Sequence, residues 1–302
     1  MVAQAYVGLC CAHCGGNMPL NIFGGGIPET HEYRFKISQM FMEMGPLRDG
    51  TDDILSTTLV GMANGTTFPS VPRSMQKHMT MIGGAYSFTD KFAVMAMTNY
   101  TANSMPMEVK PSMGANFTMK SDGIGDIALL GKYRLYADDH LVPTSQLSTV
   151  FGISVPTGNI EKKFSNSTVS GVNGTILPYK MQLGSGTVDP IIALTYQGSR
   201  DPFWWGVNTK LQAHVYNNEQ GYRRGQEFFY DFYFMKQVHD KWVVHTQLNG
   251  SWEGKMSKEA YSGRVLGHGH KSTVRTNNFT SPLFNPHNYG GHKVGISLGA
   301  QF

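Results

Sequence analysis

From Tyr33 onward, large apolar side chains recur at every second position, and this spacing narrows the choice of fold more than any other feature. In YRFKISQMFMEM (33–44), Tyr33, Phe35, Ile37 and Phe41 share one face. Arg34, Lys36, Ser38, Met40, Met42 and Met44 share the other. A helix does not sort residues in this way, whereas a strand does, because its side chains point alternately to opposite sides. The division returns at 74–88, 91–103, 124–136, 146–156, 186–197, 203–215, 224–236 and 241–252, and in the final HKVGISLGAQF. The pattern predicts an all-β chain of about ten long antiparallel strands, with twelve as the alternative count. Residues 31–302 would form this body, and residues 1–30 an irregular leader rich in Cys and Gly.

The connections alternate in length. Short links fall near 88–91, 137–145, 198–202 and 237–240, and long ones fill 45–73, 104–123, 157–185 and 253–291. Short turns at one end and long loops at the other are the pattern of an outer-membrane up-and-down barrel, whose tilted strands need ~9–11 residues to cross the bilayer. A soluble sandwich sorts its residues equally well, with the apolar face inward. Strand length and Trp and Tyr near the strand ends favour the membrane alternative. The mean hydropathy of −0.26 leaves this intact, since lipid-facing and lumen-facing residues average out in such strands. Charged residues are only 15% of the chain, and the net charge of +4 forms no basic run, so no nucleic-acid partner is expected. The start, Met-Val-Ala-Gln-Ala, reads as the tail of a signal peptide.

Three internal stretches stand out: GIGDIALLGKYRL (123–135), FGISVPTG (151–158) and MQLGSGTVDP (181–190). With the closing YGGHKVGISLGAQF, they make residues 31–302 resemble the bacterial outer-membrane "transporter" barrels grouped as meta-pathway phenol-degradation proteins. The resemblance implies a barrel in the bacterial outer membrane and a loose link to aromatic compounds. Its motifs identify strands, not a substrate. The methionine-rich face and the CCAHCGG leader read as marks of a subgroup.

If the apolar face meets lipid, Met40, Met42, Met44, Met75, Met79, Met81, Met95 and Met97 all point into the lumen from three consecutive strands. A turn centred near Thr89 would set Met81 opposite Met97. Met105, Met107, Met113 and Met119 would continue into the next loop. Thioethers are soft ligands that suit Cu(I), and such a wall would pass an ion between weak sites. Methionine is also an adaptable filler of irregular space, and its sulfur makes favourable contacts with aromatic rings. The remaining lumen mixes Arg34, Lys36, Asp126, Lys132, Arg134, Asp189, Lys210, Glu227, Asp231 and Lys293, a set that reads as internal ion pairing.

All three cysteines lie in CCAHCGGNM (10–18). Cys11 and Cys14 form a C-x-x-C pair, with Cys10, His13 and Met18 as further donors. Thiolate with thioether suits Cu(I), and two thiolates with an imidazole suit Zn. In an oxidising periplasm the same residues would make a Cys11–Cys14 or Cys10–Cys14 disulfide with one thiol over. Haem attachment fails, because Gly15 stands where C-x-x-C-H needs His.

No catalytic constellation appears, so no enzyme is expected, nor any cofactor apart from copper. The leading expectation is an outer-membrane barrel that binds or conducts a soft metal ion, with Cys10, Cys11, His13, Cys14 and Met18 as a periplasmic site and the Met face as the path. The alternatives are a channel for small aromatic or apolar solutes and a closed structural barrel. Expected partners are outer-membrane lipid, the ion or solute, and a second copy or surface partner met through the long loops.

Overall fold

In the computed structural model, residues 31, 33–44, 47–49, 52–61, 70–139, 143–239, 242–254, 256 and 291–301 are described, the last segment by its backbone only. Ten strands form one antiparallel path: β1 (Tyr33–Met44), β5 (Met75–Ser87), β6 (Phe92–Val109), β8 (Ile127–Ala137), β9 (Ser145–Val155), β10 (Asp189–Arg200), β11 (Phe203–Gln212), β12 (Glu227–His239), β13 (Trp242–Glu253) and β14 (Gly291–Gln301). Apart from the insertions within the long links, each pairs with its sequence neighbour, as an up-and-down sheet requires. Among the described residues no pair joins β1 to β14.

The long links hold more structure than their composition predicts. The first contains the hairpin β2 (Leu47–Asp49) and β3 (Asp52–Ile54), a short helix α1 (Ser56–Gly61), and β4 (Ser70–Pro72), which pairs with β6. The second is not a loop. β6 runs for 18 residues, and β7 (Phe117–Ile124) pairs with its far half. At ~3.3 Å per residue β6 is about 60 Å long, twice a hydrocarbon core of ~30 Å. The expected strand limit fails here because the alternation continues past Tyr100 with the apolar residues on the inner face, where Met105, Met107 and Val109 are buried.

β7 and β8 act as one interrupted strand. Between the Tyr100–Ile124 and Met97–Ala128 pairs, β6 advances three residues while its partner advances four. The extra residue makes a bulge at Gly125–Asp126. The Gly125 N–H donates to the Asn99 carbonyl at 2.7 Å, and the Asn99 amide occupies the space a Cβ at 125 would need. Such a bulge re-aims a side chain, here the Asp126 carboxylate.

The orientation of the faces decides the class of fold. Tyr33 and Phe35 are 79% and 71% exposed, and Ile37, Phe41, Leu129, Ile192, Leu194, Phe232 and Leu248 are exposed with them. Lys132, Ser148, Thr195 and Asp231 lie on the opposite face and are buried, and Asp189 is 0% exposed. A flat sheet would leave those polar residues open, so this sheet curls around its polar face and turns its apolar face outward. In water that arrangement would expose far more apolar surface than soluble proteins tolerate. In lipid it is the required one. Tyr86, Phe88, Tyr133, Tyr136 and Tyr196 mark the short-turn rim. At the other rim Tyr100 donates to Asp122 Oδ2 at 3.0 Å, where the outer face of β6 and β7 changes from apolar to polar.

Candidate functional site

The methionine wall faces the interior. Met40 on β1 is paired with Met79 on β5, and Met81 with Ser38. Across β5–β6, Met97 stands opposite Gly83 and Met95 opposite Ala85. Met81 therefore meets Asn99, not Met97 as the sequence predicts. The hairpin is centred on Asp90, because the Phe88 N–H donates to the Phe92 carbonyl at 3.0 Å. The Thr89 hydroxyl accepts the N–H groups of Lys91 and Phe92. The offset is two residues, so every methionine keeps its predicted face. Met42 is 38% exposed at the long-loop end of this wall. Cys10, Cys11, His13, Cys14, Met18 and the Met44 side chain lie outside the described residues.

Met95, Met97 and Ala128 pack against Leu130, Val150, Ile191 and Ala193, an apolar patch that continues the methionine wall across β8, β9 and β10. Charged groups line the rest of the interior. Arg134 donates to Asp90 at 2.5 Å, which ties the lumen to the β5–β6 turn. Lys210 Nζ sits 4.1 Å from the centre of the Phe229 ring. Asn208 donates to Asp231 Oδ2 at 3.1 Å. These contacts join Arg134 to a turn aspartate, Lys210 to a ring and Asp231 to an amide, and none of the three pairs two of the charges expected to pair with one another.

At the long-loop end lies a group that the sequence reading did not single out as a site. Asp126 Oδ1 accepts the Gly158 N–H at 2.9 Å. Its Oδ2 accepts both the N–H and the hydroxyl of Ser185, at 2.8 and 2.9 Å. Thr187 donates to Asp189 Oδ1 at 2.6 Å, and Asn218 donates to the Ser185 carbonyl at 3.0 Å. Arg224 donates to the Gly184 carbonyl at 2.8 Å. Gly158 and Gly184 approach so closely that a Cβ on Gly184 would lie 2.5 Å from both Asp126 Oδ1 and the Gly158 carbonyl. The three stretches GIGD, PTG and GSGTVD thus converge on one carboxylate.

His214 completes this staple. Its backbone is held by the Gln226 side chain, which accepts from the His214 N–H at 3.1 Å and donates to its carbonyl at 3.0 Å. Nδ1 lies 2.9 Å from Asp189 Oδ2, and Nε2 lies 3.8 Å from Glu227 Oε1. Neither ring nitrogen is aligned for a hydrogen bond, so the contact is ionic. Burial alone lowers the imidazole pKa, but the two carboxylates outweigh it and raise it to about 9.

Among the described residues, no three His, Cys, Asp or Glu side chains are grouped to hold a metal ion. The donors that the fold does assemble are thioethers. The arrangement shows a lumen with one apolar, sulfur-rich side, one charged side, and a stapled set of long loops above. Among curated proteins none matches the chain. The family model described as "Putative MetA-pathway of phenol degradation" matches residues 77–272, roughly two thirds of the chain. That span runs from β5 through β13, includes all three converging stretches, and leaves the Cys-rich leader outside. With its outward apolar face and inward polar one, the chain belongs to this family of outer-membrane barrel proteins.

Proposed function

We propose that the protein sits in the bacterial outer membrane and passes small aromatic or apolar solutes along the sulfur-rich side of its lumen. The observation that carries this reading is the half-buried row of Met79, Met81, Met95 and Met97 on the inner face, backed by the packed side chains of Leu130, Val150, Ile191 and Ala193. Ion pairs and hydrogen bonds hold the charged side of the lumen. An apolar strip beside them offers a solute dispersion contacts and sulfur–ring contacts without trapping it. The family description, with its reference to phenol degradation, supports the same class of solute.

The test is uptake of a labelled small aromatic acid and of a labelled sugar, in cells whose lipopolysaccharide leaflet is intact, with and without the protein. Uptake of the aromatic should rise and that of the sugar should not. Met81→Asp places a charge in the row and should abolish the rise, since lumen substitutions tune selectivity. Equal uptake of both solutes, or none of either, refutes the reading.

The second reading is conduction of copper as Cu(I), with the leader cysteines as the periplasmic end. Its support is the alignment of Met40 with Met79 and the shared face of Met81, Met95 and Met97. Copper uptake that falls in a Met81→Leu/Met97→Leu variant while aromatic uptake persists would favour it.

A further inference from the structure

Beyond the lumen wall, a second group of methionines meets where β6 and β7 rise past the bilayer. Met105 on β6 is paired directly with Met119 on β7. On the other side Gln76 pairs with Ser104, which brings Met75 level with Met105 one step further on. Met107 follows on the same face of β6, paired with Phe117, and Met181 arrives from the 3-10 turn Tyr179–Met181. All five are buried, none more than 4% exposed, in one cluster with Val109, Phe117, Phe164 and Leu177. Five of its nine buried members are therefore thioethers, drawn from four separate elements.

Packing alone does not call for five sulfurs. Leucine fills a similar volume and has less side-chain freedom to lose than methionine. Neighbours across a ladder have Cβ atoms roughly 4.5–5.5 Å apart, a spacing from which flexible methionine arms converge on one point. A polar layer separates this cluster from the lumen wall. Lys77, Asn103 and Ser121 occupy the next row down, and Asn103 donates to Ser121 at 3.1 Å. The cluster is a closed cap, not the top of a continuous path.

We propose that this cap is a thioether site for a soft monovalent ion, Cu(I) or its analogue Ag(I), with Met75, Met105, Met119 and Met181 as the ligands. Neutral thioethers select soft ions over Mg2+ and Ca2+, which take oxygen, and over Zn2+, which takes imidazole, thiolate or carboxylate. The site stands apart from both readings of the lumen, since it does not need the wall to conduct anything.

The experiment uses the full chain in detergent with Cys10, Cys11 and Cys14 changed to Ser, so that thiols do not mask weaker donors. Ag(I) is titrated while the methyl signals of 13C-labelled methionine are followed by NMR, and the Cu(I) form is examined by X-ray absorption. About one ion per chain should bind, with an all-sulfur shell. The shifts should fall on Met75, Met105, Met119 and Met181, and the affinity should drop at least about tenfold in Met105→Leu/Met119→Leu/Met181→Leu. Met113→Leu, at an exposed methionine outside the cluster, should bind as the parent does. Leucine is close to isosteric, so the cap variant should still fold. If it does not, the parent's methyl shifts decide alone. Shifts confined to the wall methionines, an oxygen or nitrogen shell, or no saturable binding overturn the proposal.

Discussion

Asp126 ties together two loops that are far apart in the sequence. One carboxylate accepts three donors from two loops, and both loops come close enough to need glycine. Asp126→Asn turns an amide toward N–H groups and leaves at least one buried donor unmet. The expected cost is about 2–3 kcal/mol, read as a lower urea midpoint for unfolding from lipid vesicles. His214 gives the same region a pH dependence. Its pKa is about 9 in the folded chain against 6.5 for the free side chain, so the folded state binds the proton more tightly. The stabilisation is complete below about pH 6.5 and is lost as pH rises through 9. Unfolding midpoints at pH 6 and pH 10 should differ for the native chain, and the part of that difference due to this group should vanish in His214→Gln. Neither role was legible in the sequence. Asp126 appeared there only as one lumen charge among ten, because the donors that define it lie 32 and 59 residues away.

At the scale of elements, period-two spacing located the strands of the main path to within about three residues, except for the far end of β6. Side-chain alternation is a local property of extended backbone, so it survives without tertiary information. It missed β2, β3 and β4. It also missed β7 and truncated β6, because Pro106, Pro111 and Gly114 read as loop residues although Met105, Met107, Val109, Phe117 and Met119 keep the alternation. Met105, Met107 and Met119 were accordingly placed in a loop, whereas they sit in strands and are buried. The outward face of the main strands makes a sharp prediction. Leu194 lies mid-strand on β10, opposite Thr149 and Thr209, and is 48% exposed. Leu194→Arg should cost about 2–4 kcal/mol when folding is measured in lipid vesicles, the penalty for a charge near the bilayer midplane. An exposed leucine in a water-facing sheet would tolerate the same change within about 0.5 kcal/mol.

For the whole molecule, the sequence by itself determined an all-β chain of ten principal strands, the pairing of near neighbours through alternating short and long links, and the two sets of residues that each strand presents. All three follow from patterns within a dozen residues. Only the tertiary structure decided which set faces outward. Alternation is symmetric under exchange of the two faces, and just the curl of the sheet breaks that symmetry, burying Asp189 and exposing Phe35. The same curl joined GIGD, PTG and GSGTVD into one staple and gathered five distant methionines into one cap. Contacts of that kind depend on where strands end in space, which no local spacing records.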